Sequence, residues 1–214
     1  MRFYRGDGVS LATLLATAAG SAAVYAQLPE RMATHFDAHG VPNGWMPRAA
    51  GAFFMPAFGL VLLAFMRGVG HVLPQGDKKR LSEQAVADVC ALTTLFLGAV
   101  HALLLWYALT PGANITTPVI ALMGLMWVAL GLMLPRFRRN PIVGVRTPWT
   151  LTSDENWAKT QRFAGYSMVV GGLLGLVAGV VGGGPGVWIA IGAFMASALV
   201  PAGYSLVLAR RAGS

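Results

Sequence analysis

The chain has 214 residues, of which 56% are hydrophobic and only 11% are charged, and its mean hydropathy is +0.61. This composition excludes an ordinary soluble globular domain and predicts an integral membrane protein. The net charge of +8 does not indicate nucleic-acid binding, because the basic residues lie in short loops beside apolar runs, where they set membrane topology. We therefore expect no direct nucleic-acid partner.

Six apolar runs follow one another along the chain, each close to the length that crosses about 30 Å of hydrocarbon. They begin near Val9, Gly51, Val86, Val119, Ala164 and Val187 and end near Leu28, Val69, Leu109, Leu134, Val181 and Ala209. These runs predict an all-α membrane protein with six transmembrane helices. In the fifth run, Gly171, Gly175 and Gly179 recur every four residues, a spacing that lets a neighbouring helix backbone approach closely.

The distribution of lysine and arginine predicts the orientation. If the amino terminus is inside, only Arg31 and Arg48 of the sixteen basic residues lie on the outer side, which leaves fourteen on the cytoplasmic side. The opposite orientation would reverse this ratio. Both termini are therefore predicted to be cytoplasmic.

The polar loop between the first two runs, Pro29 to Ala49, is predicted to lie outside. Its candidate ligand-binding residues are Glu30, His35, Phe36, Asp37 and His39. If this piece were helical, its two histidines would share one face at i and i+4, a spacing that can chelate zinc or another divalent metal. The HExxH signature is absent, so the alternative is a hydrogen-bonded loop whose histidines fix a turn or line a pocket. The run Pro42-Asn43-Gly44 predicts a turn.

An ionisable residue, His101, lies inside the third apolar run, about two-thirds of the way toward the outer face. Such a residue in a membrane helix indicates a functional site. It could complete a metal-binding cluster with His35 and His39; the alternative is a neutral histidine hydrogen-bonded to a neighbouring helix. Asp88, at the inner end of the same run, is predicted to pair with Lys79, Arg80 or the arginines at 136–139.

A second polar segment, Arg136 to Gly165, is predicted to lie on the cytoplasmic side. The arginines at 136, 138 and 139 suit phospholipid headgroups, so membrane lipids are expected partners. Three residues that restrict the backbone predict an extended, turning path rather than a helix: Pro141, Gly144 and Pro148.

The second half of this segment carries a helix start signal. Thr152 followed by Glu155 is a capping-box pattern, which predicts a helix that begins near Ser153. The helix would continue through Trp157 into the fifth run.

Two motifs resemble known families. The run Leu28-Pro29-Glu30-Arg31-Met32-Ala33-Thr34-His35-Phe36 is similar to the LPxxxxxHF loop that follows the first helix of an uncharacterised bacterial membrane domain. The run from Arg139 to Thr150 resembles the signature loop of the SdpI family, named for immunity to the sporulation-delaying protein toxin. The residues that carry this second resemblance are Arg139, Asn140, Pro141, Gly144, Arg146, Thr147, Pro148, Trp149, Trp157, Lys159 and Arg162.

The resemblance implies a multi-pass protein of the bacterial cytoplasmic (inner) membrane whose first helix belongs to the mature fold. Residues 1–70 would form an amino-terminal helix pair with the outer histidine loop, and residues 71–214 a four-helix SdpI-like part with the cytoplasmic loop. Members of the family protect their host from a secreted toxic peptide, and the namesake also holds a repressor at the membrane. A peptide toxin would bind outside and a cytoplasmic repressor inside.

The first functional hypothesis is a non-enzymatic immunity or signal-transduction protein that senses or neutralises an extracytoplasmic antimicrobial peptide. Its ligand would bind the outer loop, with His101 beneath. The alternative is a metal-dependent membrane hydrolase in which His35, His39 and either Asp37 or Glu30, with His101 as a further ligand, hold a metal that activates water. A small permease is the third hypothesis, which the lack of carboxylates deep in the apolar runs disfavours.

Overall fold

The computed structural model describes residues 3–69 and 77–212 and is mainly helical. The helices are α1 (Arg5–Val24), α2 (Arg48–Val69), α3 (Asp77–Leu109), α4 (Thr116–Met133), α5 (Pro148–Thr152), α6 (Asp154–Val181) and α7 (Gly183–Ala212). Two strands, β1 (Arg31–Phe36) and β2 (Pro42–Pro47), form an antiparallel hairpin between α1 and α2. Short 3₁₀ turns, Tyr25–Gln27 and Leu134–Arg136, extend α1 and α4.

Six of these helices, all but the five-residue α5, are long and apolar enough to cross a membrane. Because the lipid interior offers the backbone no hydrogen-bond partners, each long apolar run satisfies its own peptide groups by forming a helix. The predicted six-helix membrane fold is therefore confirmed. The predicted start of a helix near Ser153 is also confirmed, since α6 begins at Asp154.

The molecule has two ends, because successive long helices run in opposite directions. The hairpin end carries β1 and β2, and the start of α4 lies beside the hairpin, where Gly40 contacts Thr116. The loop end carries the starts of α1 and α3, where Tyr4 donates a hydrogen bond from its hydroxyl to Glu83 over 2.9 Å. It also carries the α4–α6 connection, residues 137–153, which includes α5.

The long helices pack as two groups. The amino-terminal group is α1, α2 and α3, and the carboxyl-terminal group is α4, α6 and α7. A buried apolar cluster joins the groups near the loop end, where Leu14, Leu63 and Cys90 of the first group meet Phe137 and Trp157 of the second. The predicted boundary between residues 70 and 71 lies outside the described residues.

Reciprocal glycine contacts hold α4 against α6. A Cβ on Gly131 would lie 2.7 Å from the carbonyl oxygen of Gly165, and a Cβ on Gly165 would lie 2.7 Å from that of Gly131. Seven residues away along each helix, Gly124 and Gly172 repeat the arrangement at 2.8 and 2.6 Å. The two helix backbones touch directly at both places, and no side chain larger than hydrogen fits between them.

The predicted glycine face of the fifth run is divided between two neighbours. Gly171 and Gly175 lie against Ser197 and Phe194 of α7, whereas Gly179 faces the side of α4. Close helix packing at these glycines is confirmed. The α4–α6 pairs were not part of that prediction.

The outer loop lacks the helical geometry that the metal hypothesis requires, and the turn predicted at Pro42-Asn43-Gly44 is wrong. It is an antiparallel hairpin rather than a helical piece, and Pro42-Asn43-Gly44 lies inside β2 rather than at a turn. The chain reverses at residues 37–41, where Gly40 has a φ of 79°. The carboxylate of Asp37 accepts hydrogen bonds from the backbone N–H groups of His39 (2.8 Å) and Val41 (2.9 Å), which stabilises the turn at this place.

Candidate functional site

The base of the hairpin is anchored on the amino-terminal helix group. Leu28 and Met32 are buried and form a cluster with Ala52 of α2, against which Leu105 of α3 packs. Arg48 connects the strands to α2, because its backbone N–H donates to the carbonyl of Glu30 over 2.8 Å. The hairpin is therefore part of the folded core at its base.

The tip of the hairpin reaches across to the carboxyl-terminal group. The ring of Phe36 meets Tyr107 of α3 edge to face, with ring centroids 4.9 Å apart. Gly40 lies against the side chain of Thr116 at the start of α4, and Nε2 of His39 lies 3.2 Å from where a Cβ on Gly184 of α7 would be. One turn thus contacts helices of both groups.

Exposed polar groups lie around this tip. His35 Nδ1 is hydrogen-bonded to the side-chain oxygen of Asn43 on the facing strand. Hydrogen bonds from the backbone of Val41 and His39, together with the nearby His39 ring, hold the pKa of the Asp37 carboxyl below its ordinary value. Glu30 is exposed at the base of the hairpin.

His101 is placed away from the exposed histidines. Its side chain is 1% exposed inside α3, and Nε2 shares a 2.7 Å hydrogen bond with the hydroxyl of Ser21 on α1. Its Nδ1 lies near the backbone of Ala52 but makes no hydrogen bond of ordinary geometry. This arrangement matches the alternative of a histidine bonded to a neighbouring helix.

The predicted three-histidine metal cluster is therefore wrong. Within residues 3–69 and 77–212, no group of three or more His, Cys, Asp or Glu side chains is close enough to hold a metal ion. The reason is local: the hairpin turns His35 toward Asn43 and His39 toward α7, while His101 faces α1 within the bundle.

At the loop end, Asn140 organises the first half of the α4–α6 connection. Its side-chain oxygen accepts from the backbone N–H groups of Ile142 (2.9 Å) and Val143 (2.8 Å). Its amide nitrogen donates to the carbonyls of Arg138 (2.8 Å) and Val143 (3.2 Å). The side chain is 5% exposed, so it serves the loop's own backbone rather than a ligand.

Gln161 of α6 fixes the next part of the connection. Its amide both accepts from the N–H of Val145 (2.9 Å) and donates to the carbonyl of Val145 (3.0 Å). Gly144, with a φ of 109°, passes so close that a Cβ there would lie 2.8 Å from the Gln161 side-chain oxygen. Nearby, the indole of Trp157 donates to the carbonyl of Phe137 over 2.7 Å.

The second half of the connection is the short helix α5. Pro148 is its first residue, so the predicted non-helical path is wrong from this point. The N-cap is Thr147, whose side-chain oxygen accepts from the backbone N–H of Thr150, while its own backbone N–H donates to the Thr150 hydroxyl. The Thr147 hydroxyl also shares a 3.0 Å hydrogen bond with Ser205 of α7. The predicted Thr152 capping box is also wrong, because the side chain of Ser153 caps α6 by accepting from Asn156 N–H.

Two of the remaining signature residues line an open cleft of about 610 Å³ between α5, the start of α6 and the end of α7. Trp149 and Lys159 line it, and Lys159 is paired with Glu155 over 2.6 Å. Arg139 pairs with Asp154 over 2.6 Å. Arg146 bonds the carbonyl of Pro141, and Arg162 is exposed.

Asp88 lies in a different cleft, together with Arg136 and Arg138. No ion pair joins Asp88 to the arginines at 136–139 in the described part of the chain. The prediction named Lys79 and Arg80 as the other partners of Asp88, and for them it stays a prediction. The side chains of Lys79 and Arg80 lie outside the described residues.

Two stretches of the chain match known family models. Residues 136–205 match the SdpI/YfhL protein family, and residues 12–60 match a domain of unknown function, DUF1648. The chain carries an SdpI/YfhL family region. With the six apolar helices, this match shows a membrane protein. No curated protein sequence and no solved structure gives a significant match.

Each matched stretch contains the polar segment of one end of the molecule. The DUF1648 stretch contains the hairpin, and the SdpI/YfhL region contains all of the α4–α6 connection, α6 and most of α7. Sequence reasoning missed the residues that tie these parts to their surroundings: Ser21, Tyr107, Thr116, Gln161, Gly184 and Ser205. Of these residues, Gln161 was the easiest to identify from the sequence, because it directly follows the Lys159-Thr160 pair of the signature motif.

Proposed function

We propose that this chain is a bacterial membrane immunity and signal-transduction protein that senses or neutralises an extracytoplasmic antimicrobial peptide. The observation that supports this most strongly is the hairpin tip, where Phe36, Gly40 and His39 contact α3, α4 and α7. A peptide that binds or displaces the hairpin would therefore act on both helix groups at once. The charge distribution supports placing the hairpin outside and the α4–α6 connection inside the bacterial inner membrane.

The hairpin offers a surface suited to a peptide. Val41 and Trp45 are 55% and 50% exposed, and His35 and Asn43 are exposed beside them. Exposed aromatic side chains make strong anchors in protein interfaces. Within the described residues the sheet has only two strands, so each strand has a free edge whose backbone groups can pair with an extended peptide.

The loop end is proposed as the output surface. The α4–α6 connection is held by its own hydrogen bonds through Asn140 and Gln161, and Thr147 fixes it to α7. A shift of α6 relative to α7 would therefore change the shape of the 610 Å³ cleft lined by Trp149 and Lys159. A cytoplasmic repressor is the proposed partner of this cleft.

Tolerance of a sensitive strain to membrane-active peptides tests this function. We expect expression of the chain to raise the inhibitory concentration of at least one secreted peptide in a panel. Loss of an interface tryptophan typically costs about 1.4 kcal/mol or more, a tenfold change in affinity, so Trp45→Ala should remove most of the gain. Phe65→Ala is the control, because Phe65 is 66% exposed near the carboxyl end of α2, at the opposite end of the helix from the hairpin. No gain with any peptide of the panel would contradict the proposal.

The proposed role is non-enzymatic. The metal-dependent hydrolase alternative needs a set of ligands that the described residues do not bring together. Metal analysis of the purified chain tests this point directly. Stoichiometric zinc that disappears on His39→Ala would favour the enzyme instead.

A further inference from the structure

Two cavities lie along the seam between α3 and α4, where the two helix groups meet. The cavity at the loop end has a volume of about 520 Å³, and its lining includes Gln84, Asp88, Arg136 and Arg138. The other has a volume of about 310 Å³ and an apolar lining that includes Leu92, Phe96 and Ala99 of α3 and Leu122, Met126 and Ala129 of α4.

The two cavities are neighbours along the seam. Asp88 and Leu92 are four residues apart on α3, and Ala129 and the cleft residue Met133 are four apart on α4. Residues at this spacing lie one above the other on the same helix face. The polar cleft is therefore followed, one helical turn further along, by an apolar groove that runs along α3 from Leu92 to Ala99, about 10 Å at the helical rise.

The polar cleft carries two unpaired cations. Arg136 and Arg138 are exposed, and neither guanidinium group makes a hydrogen bond or ion pair in the described part of the chain. With the carboxylate of Asp88, the cleft has a formal charge of +1. Arg136 is the last residue of the membrane span that begins at Thr116, which places the cleft at the depth of lipid headgroups.

We propose that this seam binds one anionic phospholipid with a hydroxylated headgroup, as in phosphatidylglycerol. The phosphate lies between Arg136 and Arg138, because guanidinium groups form charge-assisted hydrogen bonds with phosphate oxygens. The headgroup hydroxyls donate to Asp88, and one acyl chain fills the apolar groove. The +1 cleft matches the single negative charge of this lipid, and Asp88 would repel the second charge of a phosphomonoester headgroup.

The bound lipid would occupy the space between the two helix groups at the loop end and hold them apart. Its binding does not require the peptide-sensing role, so the two proposals can fail independently.

Lipid retention by the purified full-length chain tests the site. In native mass spectrometry from detergent, we expect phosphatidylglycerol to be retained about tenfold more than phosphatidylcholine or phosphatidylethanolamine at equal concentration. Arg136→Gln with Arg138→Gln should lower phosphatidylglycerol retention to the phosphatidylcholine level. Arg5→Gln with Arg210→Gln is the matched control, because it removes two exposed arginines from the same end and should leave retention unchanged.

A second pair of variants tests the groove. Ala99→Leu with Ala129→Leu fills it and should lower retention of long-chain phosphatidylglycerol but not of the dihexanoyl form. If this variant does not fold, the comparison between the two arginine double variants tests the proposal by itself.

Three results would overturn the proposal. Equal retention of phosphatidylcholine would show a nonselective surface. An equal loss of phosphatidylglycerol retention in both arginine double variants would show general charge attraction rather than a specific site. Protection from unfolding by glycerol 3-phosphate as strong as that by the lipid would show a free-phosphate site.

Discussion

The interlocked glycines of α4 and α6 allow a stability prediction worked from distances. Gly131→Ala would place a Cβ 2.7 Å from the carbonyl oxygen of Gly165 and 2.9 Å from the backbone nitrogen of Val169. Both are backbone atoms, so no side-chain rotation relieves the clash and the helices must move apart. Overpacking of this kind costs about 1–3 kcal/mol, which corresponds to a fall in Tm of roughly 2–10 °C for a chain of this size.

Thermal unfolding of the purified chain in detergent, followed by tryptophan fluorescence, measures this effect. Gly192→Ala is the matched control, because no atom lies within 4 Å of a Cβ at Gly192 of α7. There the alanine should stabilise the helix by up to about 1 kcal/mol. A Gly131→Ala protein as stable as the parent would refute the close backbone contact, and equal losses in both variants would show a general effect of alanine.

A double variant sharpens the same test. Once Gly131→Ala has forced the helices apart, Gly124→Ala one heptad away meets less resistance. We expect the two losses to sum to more than the loss in the double variant. Strict additivity would show that the two contacts are independent and that the helices do not move as rigid bodies.

Three further predictions concern the ends of the bundle. Ser21→Ala removes the hydrogen-bond partner of buried His101 and should cost about 1–3 kcal/mol, measured as a lower Tm. Asn140→Ala removes four loop hydrogen bonds and should cost about 2–4 kcal/mol, with faster amide exchange confined to residues near it. The depressed pKa of Asp37 stabilises the hairpin turn at pH values above its ordinary 3.8, and the effect is lost as pH falls through the lower folded value. Trp45 fluorescence should report this loss, and Asp37→Asn should abolish its pH dependence.

The six spans were predictable because hydrocarbon imposes one solution on a long apolar run, whatever its side chains pack against. The start of α6 was predictable within one residue, although Ser153 and not Thr152 is the cap. Neither result depends on tertiary contacts. Most of the features that do depend on them were missed, although the close packing at Gly171, Gly175 and Gly179 was predicted.

The hairpin and the histidines show why. Met32 and Ala33 are adjacent and both buried, so β1 lacks the alternating pattern that identifies a strand. Its turn is set by the Asp37 carboxylate rather than by the stronger-looking Pro42-Asn43-Gly44 run. His101 belongs to a helix–helix contact whose other member, Ser21, lies eighty residues away in sequence, and no local pattern reports such a pair.

The packing also determines where the helices can move. The α4–α6 contact is backbone against backbone at Gly124 and Gly131, so sliding there meets atoms that cannot rotate away. The α3–α4 seam instead contains two cavities, of about 310 and 520 Å³. A movement started at the hairpin tip should therefore open or close the α3–α4 seam while α4 and α6 travel together. Cross-linking Leu92→Cys to Ala129→Cys, which lie one turn beyond Asp88 and Met133 on the facing helices, should then block the proposed signalling, whereas a cross-link within the α4–α6 pair should not.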